Sequence, residues 1–287
     1  MKKVSIIVPL FNEEKNLDAL CDALRKQTYC DFEVILIDNG SVDNTFELAK
    51  KWINLPRFKI YRCDEAGSYA ARNLGIINSS GEFILFTDGD CVPDKKWAEK
   101  MVQKFNVGYD VVAGYTQNYE VKRNPIYNYM VQEFATAQLS ESVVNGRSCI
   151  FPTCNVGYRR NVFIENGYFP NISGGDVIFS SQAYKEQFRC GIELDAVVRH
   201  YFSHSIWDIA GRYFRYGAAM KVTIKNIFTC ICILLMFPLN LFLALLYSLL
   251  NFDPDSKWEV YFASAIKQNL MIAGAIKHSI FGSKRVF

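Results

Sequence analysis

The first 115 residues switch hydrophobic period repeatedly, and that rhythm limits the fold more than any other feature of the chain. Residues 4–10 (VSIIVPL) form an unbroken apolar, β-branched run, the pattern of a strand covered on both faces. Residues 13–27 then place Leu17, Leu20, Cys21 and Leu24 at helical spacing, with Asn12 positioned to cap the helix. The alternation repeats. Strands are predicted at 32–37, 58–62, 82–87 and 111–115, and helices at 44–53, 68–78 and 94–105. Such a series implies an α/β fold, a mostly parallel sheet flanked by helices. Residues 154–167 and 176–187 resume the strand–turn–helix pattern, while 126–139 reads as a helix within Tyr-, Asn- and Gln-rich sequence.

A length of 287 residues suits one large domain, or one domain with an appendage. With 50% hydrophobic and 21% charged residues the chain is not a disordered tail protein. A net charge of +3 is too small for a basic nucleic-acid-binding domain, so no nucleic-acid partner is expected. Nine cysteines at irregular spacing contain no CxxC pair, which argues against a zinc ribbon. They read as small, reduced, buried residues rather than disulfides. The basic Met1-Lys2-Lys3 precedes too short an apolar run for a signal peptide, so that run reads as a strand.

The mean hydropathy of +0.02 averages two unlike parts. Residues 226–252 carry no charge in 27 positions, long enough for one bilayer span. Pro238 and Asn240 sit near the middle of that segment. Before it, Arg212, Arg215, Lys221 and Lys225 mix with Trp207, Tyr213, Phe214 and Tyr216, a composition that suits a helix in the headgroup region. A single span would put the basic tail opposite the catalytic domain, against the cytoplasmic preference of Lys and Arg. A re-entrant hairpin turning at Pro238-Leu239-Asn240 is the preferred reading. The expected division is a catalytic domain at 1–205 and a membrane-associated helical tail at 206–287.

Open α/β sheets bind ligands beyond the carboxyl ends of their strands. Three such ends carry polar groups: Pro9-Leu10-Phe11-Asn12-Glu13, Asp38-Asn39-Gly40-Ser41 and Asp88-Gly89-Asp90. Two carboxylates split by one glycine can hold a hard divalent cation that takes its other ligands from water and phosphate. The same triplet also serves as a plain turn between a strand and a helix. Neither GxGxxG nor GxxxxGK[ST] occurs. Asp64-Glu65-Ala66-Gly67-Ser68, followed by Ala71-Arg72-Asn73, is either a phosphate approach or an ordinary helix start. Asp176 alone is most simply a helix N-cap. His200 and His204 each read as a metal ligand or a surface histidine.

Taken together, VSIIVPLFNEEKNL, EVILIDNGSVDNT, ARNLGIINSSGEFILFTDGDCVP, NVGYRRNVFIENGYF and GGD resemble, in this order, the family-2 glycosyltransferases of the GT-A fold. The likeness covers about residues 3–217 and ends in RYFRYG. It implies inverting transfer of a sugar from a nucleotide diphosphate, UDP favoured, to a hydroxyl, with Mn2+ or Mg2+ as cofactor. It implies that residues 1–115 bind the nucleotide sugar and 116–205 the acceptor. By the same resemblance Pro9, Phe11 and Glu13 hold base and ribose, Phe11 by stacking. Asp38 and Asn39 match the acidic pair after the second strand, and Arg72 approaches the nucleotide or diphosphate. Asp90 would ligate the metal, Asp88 would lie nearer the ribose, and His200 would complete the metal or diphosphate contacts. Asp176 takes the position of the catalytic base, and His204 matches nothing.

Three positions depart from the family's pattern. Asn39 replaces an acidic residue, Gly174-Gly175-Asp176 stands for GED, and Gln182 replaces an arginine. QxxRW is missing as well, which argues against a processive synthase. The expected function is therefore a hexosyltransferase-type enzyme on the cytoplasmic face of a membrane, adding one sugar to a lipid-linked acceptor or a cell-surface glycan. A polyprenyl-phosphate glycosyl synthase is the alternative enzyme, and an inactive membrane-bound scaffold the non-enzyme one.

Overall fold

The computed structural model describes residues 3–119, 151–172 and 174–201, together with Gly211. The chain divides into two compact units, and every element below belongs to the first, Met1–Tyr119 with Ala135–Tyr201. In chain order these are β1 (Val4–Leu10), α1 (Leu17–Arg25), β2 (Phe32–Asp38), α2 (Thr45–Trp52), β3 (Phe58–Arg62), α3 (Ser68–Ile77) and β4 (Phe83–Thr87). There follow β5 (Cys91–Pro93), α4 (Trp97–Asn106), β6 (Val111–Asn118), β7 (Asn155–Arg159), α5 (Arg160–Asn166), α6 (Gly175–Lys185) and β8 (Cys190–His200).

The strands form one sheet in the order β3-β2-β1-β4-β7-β6-β8-β5. Its first four strands are parallel, as expected. The other half is mixed: β7 runs antiparallel to both β4 and β6, β8 parallel to β6, and β5 antiparallel to β8. Six of the eight strands run the same way, so the sheet is mostly parallel, as the sequence reading expects, with β7 and β5 reversed. Periodicity reveals that a segment is a strand, but strand direction depends on which end of the sheet the chain re-enters.

The unbroken apolar strands are explained by two covered faces. Val4, Ile6, Val8 and Leu10 of β1 pack with Leu17, Leu20 and Leu24 of α1 and Trp97, Met101 and Phe105 of α4. On the other face Ile7, Ile35, Ile37, Ile84 and Phe86 meet Ala71 and Ile76 of α3, Phe163 of α5 and Phe179 of α6. Alternate residues of one strand therefore enter different cores.

Two local departures bear on the site. Helix α1 begins at Leu17 rather than at 13. Asn12 does not cap it; with φ at 58° it turns the chain, and its Oδ1 accepts from Val42 N at 2.9 Å. Along β8, the pairing with β6 jumps from Gly114↔Glu193 to Tyr115↔Val197, so three β8 residues bulge out. The buried Asn155 amide satisfies that irregularity, donating to Tyr115 O and Ala196 O at 3.0 Å each and accepting from Trp97 Nε1 at 2.8 Å. Beyond the bulge His200 is in register with Cys91 of the short strand β5, which periodicity did not reveal.

Cys21, Cys30, Cys63, Cys91 and Cys154 are free. Cys190, however, is disulfide-bonded, which corrects the expectation of wholly reduced cysteines. Its spacing in the sequence gave no sign of a partner. No helix among the described residues is long and apolar enough to cross a membrane. The segments 126–139 and 226–252, and His204, lie outside the described residues.

Candidate active site

The carboxyl ends of β1, β2 and β4 are adjacent because those strands are parallel neighbours. The loops after β1 and β2 are knitted together. Asn12 N donates to Ser41 Oγ at 3.0 Å, Glu13 N to Thr45 Oγ1 at 2.6 Å and Glu14 N to Asp43 Oδ2 at 3.2 Å. This lattice leaves Phe11 60% exposed, an unusual position for a phenylalanine and one open for stacking. Pro9, two residues before it, is half-buried. Asp38 is buried, and its Oδ1 makes no hydrogen bond, so an acceptor stands ready at the end of β2.

Asn39 is placed differently from its neighbour. Its Nδ2 donates to Cys63 O at 3.2 Å and Glu65 O at 2.7 Å, and its Oδ1 accepts from Gly67 N at 2.8 Å. The amide therefore clamps the loop between β3 and α3. An aspartate could not make the two donations, which accounts physically for the amide at this position.

Beyond β4 the Asp88-Gly89-Asp90 turn packs against Glu13. A Cβ on Gly89 would lie 2.5 Å from Glu13 Cγ, so only glycine fits between the two aspartates. Asp88 is ion-paired with the buried Arg72 of α3. Asp90 Oδ1 lies 3.4 Å from His200 Nε2, a proximity created by the β5–β8 pairing. Ligand atoms of Asp88, Cys154 and His200 fall within 4.8 Å of one another, as do those of Asp90, Cys91 and His200. Burial and then the Asp90 charge push the Glu13 carboxyl up to about 7. Two carboxylates that each approach the same imidazole, beside the crowded Glu13, fit a divalent cation.

Asp176 reaches this region from the other half of the sheet. It lies in the first turn of α6, and the N-cap position belongs to Gly174. Its Oδ1 accepts from Val177 N at 2.9 Å and its Oδ2 from Thr153 N at 3.4 Å. The buried Arg72 guanidinium feels the charges of both Asp88 and Asp176. The buried Cys154 thiol is pushed up by burial and then by Asp88, with Asp90 and Asp176 adding to it. Arg72 and Cys154 are thus each close enough to Asp88 and to Asp176 to feel both charges. Gln182, one turn and a half along α6, faces solvent.

Several site neighbours escaped sequence reasoning. Cys91 and Cys154 looked like ordinary small core residues, and they do serve the core. Tyr69 and Asn73 flank Arg72 on α3 at helical spacing, a signal that the ARN run carried but that needed the tertiary fold to be read. Arg72, for its part, is turned inward to Asp88 and is only 4% exposed.

The mixed sheet with a carboxylate triplet beyond its parallel strands is a GT-A-type architecture. The chain belongs to glycosyl transferase family 2, whose profile matches residues 5–167. It is 37% identical over 188 residues to glycosyltransferase AglE of Haloferax volcanii, covering 63% of this chain and 60% of that protein. The mannosyltransferase PcManGT of Pyrobaculum calidifontis, solved with GDP-Man and Mn2+, superposes with a TM-score of 0.69 at 17% identity, over 97% of this chain and 87% of that one. S. aureus TarS 1-349 in complex with UDP-GlcNAc gives a TM-score of 0.56 at 17% identity, over 99% and 93% of the respective chains. At that identity the two structures establish the fold alone.

Proposed function

We propose that this chain is a membrane-associated inverting glycosyltransferase that moves one sugar from a nucleotide-diphosphate donor to a hydroxyl on a lipid-linked or membrane-proximal acceptor. The observation that carries the reading is His200 beyond β4, which shares one cluster of ligand atoms with Asp88 and another with Asp90, while the buried Arg72 feels the charges of both Asp88 and Asp176. Phe11 stacks on the base, with Pro9 and Glu13 beside it, and the unpartnered Asp38 Oδ1 accepts a hydrogen bond from the nucleoside. Asn39 shapes the adjoining loop rather than touching the base. Arg72 orients Asp88 and adds positive charge near the diphosphate.

Asp88, Asp90 and His200 would hold Mn2+ or Mg2+, which supplies Lewis-acid stabilisation of the leaving diphosphate. Asp176 takes the proton from the acceptor hydroxyl as that oxygen attacks the anomeric carbon. The new C–O bond forms on the face opposite the bond to the diphosphate, which departs with its electron pair, so the configuration inverts. No carboxylate nucleophile is needed.

Membrane association rests on the uncharged segment 226–252 and its basic, aromatic flanks, and the cytoplasmic face on those flanking cations. The solved relatives hold both UDP-GlcNAc and GDP-Man, so UDP-sugars head a donor panel that includes GDP-mannose. The test is thermal shift of the full chain with each donor, with and without manganese. A donor that raises the melting temperature only with manganese is the expected result. Failure of every nucleotide sugar to bind in either condition overturns the reading. A lipid phosphate that alone supports turnover would replace it with a polyprenyl-phosphate glycosyl synthase.

A further inference from the structure

The proposed reaction needs two carboxylates, Asp88 beyond β4 and Asp176 on α6, at a fixed separation. Rotation of the Asp176 carboxylate is set locally, since Val177 N and Thr153 N both donate to it. Those bonds leave open where α6 itself stands relative to β4. Chain connectivity does not settle this, because a long stretch of sequence joins the two elements.

One aromatic cluster spans the gap. Phe86 lies two residues before Asp88, on β4, and Phe179 lies three residues after Asp176, on α6. Phe169 touches both: its ring centroid is 5.3 Å from that of Phe86, edge-on, and 4.6 Å from that of Phe179. Tyr158 of β7 and Phe163 of α5 close around the same ring at 5.9 and 5.6 Å. Phe169 belongs to no helix or strand, so no ladder holds its backbone. Asn73 does so instead. Its Nδ2 donates to the Phe169 carbonyl at 2.8 Å, and its Oδ1 accepts from the Phe169 amide at 3.1 Å. One side chain thus satisfies both backbone groups, much as a neighbouring strand would. Asn73 follows Arg72 on α3, and Arg72 is the partner of Asp88. The pin is therefore anchored in the helix that also grips Asp88.

We propose that Asn73 is a positioning residue for the reaction: by pinning Phe169 against Phe86 and Phe179, it sets the span between Asp88 and Asp176. This rests on the assignment of Asp176 as the base. In this role Asn73 exchanges no proton and forms no covalent bond. Rings in a close-packed core pass a shift to their neighbours rather than absorb it. A misplacement of about 1 Å at a catalytic group can cost on the order of 100-fold in rate.

The test compares three variants of the full chain. Asn73→Ala removes the pin, and Phe169→Leu keeps an apolar plug without the ring contacts. Phe58→Leu, on the edge strand β3, controls for lost core packing alone, since Phe58 and Phe169 are similarly buried at 4% and 2% exposed. Activity is donor hydrolysis with manganese and UDP-glucose, UDP-N-acetylglucosamine or GDP-mannose, water taking the acceptor's place. In Asn73→Ala and Phe169→Leu, kcat should fall about 10- to 100-fold with donor Kd unchanged. Amide hydrogen exchange in the first turn of α6 should speed up in both. Phe58→Leu should lose melting temperature as Phe169→Leu does and keep its kcat. An unaltered kcat or unaltered α6 exchange in Asn73→Ala overturns the proposal, and so does an equal loss of kcat in Phe58→Leu. Asp176→Asn tells this proposal from the reading beneath it. If that variant turns over normally, the base assignment fails and the proposal falls with it. If it is inactive while Asn73→Ala is fully active, the base assignment stands and the proposal alone fails.

Discussion

Glu33 and Glu13 are glutamates at opposite ends of the sheet, and their surroundings drive them in opposite directions. Glu33, near the amino end of β2, is 4% exposed and surrounded by donors. Burial pushes its carboxyl up, but hydrogen bonds from Lys59, Ser80 and Ser5 outweigh burial and hold it at about 2. Lys59 Nζ is 2.8 Å from Oε2, while Ser5 and Ser80 donate to Oε1 at 2.8 and 2.7 Å. Glu13, past the carboxyl end of β1, receives Asn16 Nδ2 at 2.9 Å but faces Asp90, Asp88 and Asp43. Burial followed by those charges raises it to about 7. The amino end of the sheet is electrostatically complete. The carboxyl end concentrates negative charge even after Arg72 pairs with Asp88, and that excess is what a cation would neutralise.

If the contrast is one of function against structure, substitutions at the two ends should separate cleanly. The largest effect is expected at the site: Asp176→Asn should lower turnover about 100- to 10,000-fold while donor-induced thermal stabilisation persists. Asp90→Ala should abolish the manganese-dependent part of that stabilisation. The free protein should melt no lower than before, because a charge that opposes Glu13 has been removed. Glu33→Gln should cost about 1–3 kcal/mol in urea unfolding and leave donor affinity untouched, since its partners lie at the other end of the sheet.

The smallest effects are the most diagnostic, because the two glutamates should give pH slopes of opposite sign. The folded Glu33 carboxyl is depressed, so its contribution is present above the ordinary value of 4.5 and is lost as pH falls from there toward about 2. In Glu33→Gln that part of the acid loss should vanish from thermal melts. The folded Glu13 carboxyl is raised, so its contribution is present below 4.5 and is lost as pH rises through about 7. Cation-free Glu13→Gln should therefore melt roughly 2–6 °C above the unmodified protein at pH 8 and level with it at pH 4. Equal slopes at both ends would erase the comparison.

How far the site could be read in advance differs residue by residue. Asp88, Asp90 and Asp38 follow apolar strands directly, so their place at the sheet's carboxyl edge was legible from local pattern. The partners of Asn39 and Arg72 were not, because each side chain reaches across a loop or a sheet face to a group distant in sequence. Asp176 looked like a helix cap, yet Gly174 holds that position and Asp176 is the second residue of the helix's first turn.

By itself the sequence determined the alternation of strands and helices, the two-sided burial of β1, β2 and β4, and the membership in a family of ordered motifs. These rest on period and local chemistry, which a short window of chain contains in full. Tertiary structure alone decided the antiparallel course of β7, the bulge that registers His200 against Cys91, and the disulfide at Cys190. It also decided which carboxylates would find donors and which would be crowded with other acids. Those outcomes depend on the end from which the chain re-enters the sheet and on charges brought together over long stretches of sequence.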